Sequence, residues 1–108
     1  MANYLFVYYG GMAEGGAAAA TPKQQKKEMD IWTKWFTKLG KSVIDMGAPT
    51  KPGKTVGKAG ARATGSNAVA GYSIIKANSL GAAVNMAKSH PDISKGMKIS
   101  IYELMSMQ

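Results

Sequence analysis

Apolar and polar positions change period several times along the chain, and each change marks an element. Tyr4-Leu5-Phe6-Val7-Tyr8-Tyr9 is rich in β-formers and stops at Gly10-Gly11. Alternation sets Leu5, Val7 and Tyr9 on one face and Tyr4, Phe6 and Tyr8 on the other. Both faces are apolar or aromatic, the pattern of a central strand covered on both sides. Gly10 to Ala20 is a Gly/Ala-rich connection with a frayed turn expected at Ala17 to Ala20. Thr21-Pro22-Lys23-Gln24 then places Thr at N-cap, Pro at N1 and Gln at N3, the signature of a capping box. The predicted helix runs to about Leu39, with Gly40 as its C′ residue. Met29, Trp32, Trp35, Phe36 and Leu39 form its apolar stripe, while Lys23, Lys27, Asp30, Lys34 and Lys38 lie mostly away from it. Tryptophans at that spacing read as core rather than as a base-stacking platform.

Ser42 to Met46 is a short strand candidate stopped by Gly47 and Pro49. Thr50 to Ser66 carries Gly, Pro, Lys and Ala with almost no large apolar residue, and reads as a long connection with short pairing near Thr55-Val56. Lys51, Lys54, Lys58 and Arg62 make it the most basic segment. Gly53-Lys54-Thr55 lacks the earlier glycine that a P-loop requires. A solvated loop is the first reading, and a lid or electrostatic funnel over a pocket the second. Val69 to Ala77 returns to strand, and Asn78 or Ser79 caps a second helix whose stripe is Leu80, Ala83, Val84 and Ala87. His90-Pro91 ends that helix, Gly96 marks a turn, and Met97 to Met105 forms the last strand. There Met97, Ile99 and Ile101 alternate with Lys98 and Ser100, while Tyr102 and Leu104 add apolar surface to the second face.

The order β-α-β-β-α-β is the split βαβ, or ferredoxin-like, pattern of an α+β domain spanning residues 1–108. It predicts a four-stranded, mostly antiparallel sheet with two helices on one face. Nothing remains to cover the other face, although the first and last strands carry large apolar residues on both. A twofold sheet-to-sheet homodimer, closing a barrel with helices outside, solves this, and the space between the sheets is the natural ligand site.

Composition narrows the chemistry. A chain of 108 residues, 45% hydrophobic, suits one globular domain. The absence of cysteine excludes a disulfide scaffold, a thiolate metal site and a cysteine nucleophile. The net charge of +8 would attract anions. Arg62 is the sole arginine, and lysines spread singly from Lys23 to Lys98 read as a solvated surface, so nucleic acid is not the expected partner. The run Tyr4–Tyr9 is too short to span a bilayer and has no basic region before it, so the expectation is a cytoplasmic protein with no membrane partner.

Taken in order, several pieces resemble the YCII-related domain family of the dimeric α+β barrel group. They are Tyr4-Leu5-Phe6-Val7-Tyr8-Tyr9-Gly10-Gly11, Trp35-Phe36-Thr37-Lys38-Leu39-Gly40, Gly65-Ser66-Asn67, Gly71-Tyr72-Ser73-Ile74-Ile75, Ala77-Asn78-Ser79-Leu80-Gly81-Ala82-Ala83, Pro91 and Ile101-Tyr102-Glu103. The resemblance covers essentially the whole chain and implies a dimer with a cleft on each side. In some relatives a histidine–aspartate pair in that cleft is linked to lyase or dehydrochlorinase-like chemistry. This chain departs from that pattern: its one histidine, His90, follows the second helix, the first helix has none, and no Asp-Gly-Pro-Phe motif precedes Gly71.

Candidate chemistry is sparse. His90 alone has an unperturbed pKa near neutrality, and beside Pro91 at a helix end it reads first as a partner for the last carbonyls and second as a catalyst. Asp45, between Ile44 and Met46, is either a pocket carboxylate or an edge-strand acid facing water, and Glu103 carries the same ambiguity. Tyr8 and Tyr72, on strands predicted to be neighbours, and Asn67, before the third strand, are further ligand-pocket candidates. One histidine and no cysteine lead us to expect neither a metal nor another cofactor. Three readings follow: a small-ligand-binding or accessory homodimer without catalysis, its ligand a small molecule between the sheets with an anion among the options; a cofactor-free lyase, isomerase or dehydrochlorinase-like enzyme using Asp45 or His90 with tyrosine support; and a basic binder of nucleic acid or anionic surfaces.

Overall fold

The first strand, β1 (Ala2–Tyr9), forms where β-formers run without interruption, and it becomes the centre of the sheet. The computed structural model describes residues 1–10, 21–51, 53–63 and 69–105. Asn67 and the turn expected at Ala17 to Ala20 lie outside the described residues.

Helix α1 (Pro22–Leu39) starts as its capping chemistry requires. The Thr21 hydroxyl accepts the Gln24 amide at 3.2 Å, and the Gln24 side-chain oxygen accepts the Thr21 amide at 2.9 Å. A short 3-10 turn (Gly40–Ser42) leads into β2 (Val43–Pro49). The hairpin β3 (Lys54–Gly57) and β4 (Gly60–Ala63) comes next, then β5 (Val69–Ala77). In α2 (Leu80–Lys88) the Ser79 hydroxyl caps the first turn by accepting the Ala82 amide at 3.1 Å. A second 3-10 turn (Pro91–Lys95) enters β6 (Lys98–Glu103).

Strands β2, β5, β1 and β6 lie side by side in that order, every pair antiparallel. The domain is α+β, with a four-stranded antiparallel sheet and two helices, an arrangement compatible with the ferredoxin-like pattern. Register sorts the faces. Tyr4, Phe6 and Tyr8 pair with Ile75, Ser73 and Gly71 and are buried together with Trp35, Ala83 and Ala87 from the helices. Leu5, Val7 and Tyr9 turn away from the helices and stay half-exposed. Within one chain β1 is thus covered on one side, not two.

Three expectations change in detail. The connection from Thr50 to Ser66 contains a two-stranded hairpin with its turn at Lys58-Ala59, so the pairing near Thr55-Val56 is longer than expected. Strand β2 continues beyond Gly47 because an irregularity at Asp45–Ala48 lets Ala48 and Pro49 pair with Tyr72 and Gly71. Met29 and Leu80 belong to no buried stripe, being 68% and 51% exposed. The inward position one turn before Trp32 is taken by Glu28, which accepts the Trp32 indole N–H at 3.0 Å, and of the stripe expected on α2 Ala83 and Ala87 are buried.

Candidate functional site

His90 closes α2 and opens the next turn. Its amide donates to the Ala87 carbonyl at 3.1 Å, and its Nδ1 accepts the Asp92 amide at 3.0 Å. It is therefore the N-cap of the Pro91–Lys95 turn, not a cation at the end of α2. The ring packs against Trp32 and Trp35, with centroids 4.2 and 4.8 Å apart, and is only 2% exposed. Burial lowers its pKa, with Asp92 pulling the other way and Lys95 adding to the fall. Because Nδ1 is an acceptor, the neutral ring carries its hydrogen on Nε2, a buried atom with no hydrogen-bonding partner.

Asp92 is fully buried, and the Lys95 ammonium stands 3.5 Å from its Oδ1. The Glu28 carboxyl of α1 faces it. Burial first, then this neighbouring carboxylate, raises the Glu28 pKa to about 7, while the Trp32 N–H and Lys95 oppose the rise. Two ionised carboxylates have no hydrogen to share, so Asp92 gains a donor from Glu28 only when Glu28 is protonated. Tyr8 completes the cluster, meeting Trp32 edge-on at a centroid distance of 4.6 Å. Burial pushes its pKa to about 12, tempered by the nearby Ser73 hydroxyl, although Tyr8 makes no well-aligned hydrogen bond. Over Trp35 the surface opens as a groove of about 220 Å³ between Ile31, Lys34, Lys38, Ser89 and Pro91, and neither His90 nor Asp92 lines it. The Trp35 indole N–H donates to Ser89 Oγ at 2.9 Å, tying α1 to the end of α2.

Among the described residues singled out from the sequence, Tyr8 and His90 both pack against Trp32, and the others do not join them. Asp45 is exposed on β2, where its carboxylate accepts the Gly47 amide at 2.8 Å and shapes the irregularity. Tyr72 lies on the sheet face opposite Tyr8, although their strands are neighbours, because successive residues alternate between faces. Glu103 pairs across from Tyr4 and accepts its hydroxyl at 3.1 Å. His90 and Tyr8 are on the helix side; Asp45 and Tyr72 are not.

Glu28 and Asp92 were missed by sequence reasoning. Glu28 stands four residues before Trp32 on the inward side of the helix, and His90-Pro91-Asp92 has the form of a capped turn. Those local signals were present, but the meeting of the two carboxyls depends on how α1 lies over the turn.

The face away from the helices offers a different kind of surface. Leu5, Val7 and Tyr9 of β1 are flanked by Ile74 and Tyr72 of β5 and by Tyr102 of β6, with Lys76 and Lys98 at opposite ends. Tyr72 and Tyr102 are 38% and 55% exposed. Among the described residues, no group of three or more His, Cys, Asp and Glu is placed to hold a metal ion, and no helix is long and apolar enough to cross a membrane. No protein-family model and no curated protein matches the chain.

Proposed function

We propose that this chain is a YCII-like homodimer that binds a small anionic ligand between two sheets, without catalysis. The observation that carries the reading is the continuous apolar and aromatic stripe on the face the helices leave open: Leu5, Val7, Tyr9, Ile74, Tyr72 and Tyr102. A second copy is the occupant that matches it best, because a twofold axis sets the same stripe against itself. Four strands spaced about 4.8 Å apart and roughly 25 Å long present about 500 Å² before side-chain relief is added, near the scale of ~800 Å² per partner in stable interfaces. Lys76 and Lys98 bound the stripe at its two ends and favour an anion where the sheets diverge. The enzymatic alternative has no comparable support, since Asp45 is exposed on β2 with its carboxylate turned to the Gly47 amide, while His90 is buried against Trp32 and Trp35 and does not line the groove over Trp35.

Sedimentation velocity tests the dimer. The expected species is a dimer at micromolar concentration, converted to monomer by Tyr72→Glu with unchanged far-ultraviolet circular dichroism. A wild-type monomer, or a Tyr72→Glu dimer of unchanged affinity, overturns the sheet-to-sheet reading. A thermal-shift survey of small carboxylates and phosphates tests the ligand, whose stabilisation should disappear in the Tyr72→Glu variant.

A further inference from the structure

The β3–β4 hairpin adds no strand to the main sheet; it forms a separate two-stranded ribbon. Its side chains are small: Thr55, Val56 and Gly57 on one strand, Gly60 and Ala61 on the other, and Ala59 in the turn. Val56 is 78% exposed, and a Cβ added at Gly57 or Gly60 meets nothing within 4 Å, so the ribbon is slim and unpacked there. Register places Lys54 on one face and Arg62, opposite Thr55, on the other, while Lys58 occupies the tip and Lys51 the approach to the base. The charges therefore surround the ribbon. No acidic residue occurs between Asp45 and Asp92, whereas the lysines of α1 are interleaved with Glu28 and Asp30.

We propose that this ribbon is a DNA-binding arm that enters the major groove of a duplex and contacts phosphates on both sides. The proposal is independent of the sheet-to-sheet dimer. A two-stranded ribbon fits a groove about 12 Å wide, and cations on both faces suit an element lying between two phosphate backbones. A single strand would call for aromatic platforms, and none occurs from Pro49 to Gly71. The groove of an RNA duplex corresponding to this one is too narrow and deep to admit the ribbon. With one arginine and otherwise short side chains the arm holds backbone phosphates and reads no sequence.

Fluorescence anisotropy with the full chain and a random-sequence DNA duplex of about 20 base pairs, titrated from low to moderate salt, tests this. Binding should weaken with salt, and Lys58→Gln/Arg62→Gln should weaken it at least tenfold and make the log–log salt slope shallower by about 2. Lys23→Gln/Lys27→Gln, which removes the same charge from α1, should change binding less than threefold. Thermal unfolding of both variants checks that the fold is kept. Absence of binding at low salt, an equal loss in the two double variants, or preference for an RNA duplex or anionic vesicles at matched charge overturns the proposal.

Discussion

The Glu28 carboxyl on α1 faces the buried Asp92 carboxyl of the turn after α2, where the Trp32 and His90 rings of the same two segments pack against one another. Glu28 is raised to about 7 in the folded protein from an ordinary value of 4.5. The folded chain therefore holds a proton that the unfolded chain releases between those values, so this group's contribution to stability is complete below pH 4.5 and is lost as pH rises through 7. Glu28→Gln, which mimics the protonated form, should gain stability relative to the parent as pH rises from 4.5 to 7 and keep a constant advantage above it. Thermal midpoints across pH 4–8 measure this; a parent-to-variant difference independent of pH sinks it.

His90 carries the opposite sign. Its lowered pKa means that the unfolded chain binds the proton first, so its contribution is present above pH 6.5 and is lost as pH falls through the folded value. His90→Ala removes both the ring against the tryptophans and the acceptor for the Asp92 amide, for a loss of about 2–4 kcal/mol. His90→Asn keeps a cap and should recover about 1 kcal/mol of that. Denaturant unfolding at pH 7.5 distinguishes the variants, and equal midpoints for Ala and Asn would show that the cap contributes nothing.

Gly47 and Gly96 both have positive φ, +69° and +101°, but their surroundings differ. A Cβ at Gly47 would stand 1.8 Å from the Tyr72 carbonyl oxygen, within the pairing of β2 and β5, whereas at Gly96 nothing lies within 4 Å. Gly96→Ala should cost about 1–2 kcal/mol from backbone conformation alone. Gly47→Ala should cost more, by forcing β2 away from β5, and amide hydrogen exchange should then quicken along Val43–Pro49 before elsewhere. Similar losses with uniform exchange would contradict the contrast.

The capping box at α1 gives a local control. Thr21→Ala removes the hydroxyl that accepts the Gln24 amide and should destabilise by about 1 kcal/mol without altering any pH dependence. Urea unfolding at two pH values checks both parts.

Local chemistry was legible wherever it acts over one turn or one strand. Thr21-Pro22-Lys23-Gln24 had one good use, as a helix start, and Ser79 likewise. The alternation of Tyr4 to Tyr9 assigned the two faces of β1 before any partner strand was known. The inward direction of α1 was read less well, because Met29 and Glu28 are neighbours on the helix and hydropathy favoured the wrong one. A glutamate on the inward side is tolerable only if a donor such as the Trp32 indole is there to meet it, and that is a property of side-chain geometry, not of residue type.

By itself the sequence determined the order of the two helices and the four main-sheet strands, the helix caps, the charge of the Thr50–Ser66 connection and the apolar character of both faces of β1, since each depends on neighbours within a few residues. Tertiary structure decided that β1 and β5 pair with Val7 beside Tyr72, which puts Tyr8 and Tyr72 on opposite faces. It also decided that the basic connection folds back as a ribbon, and that the half-buried Glu28 and Trp32 meet the buried His90 and Asp92 at one site. The reason is physical: pairing register and helix placement are set by the whole core packing at once, and the pKa of a carboxyl depends on what that packing brings beside it.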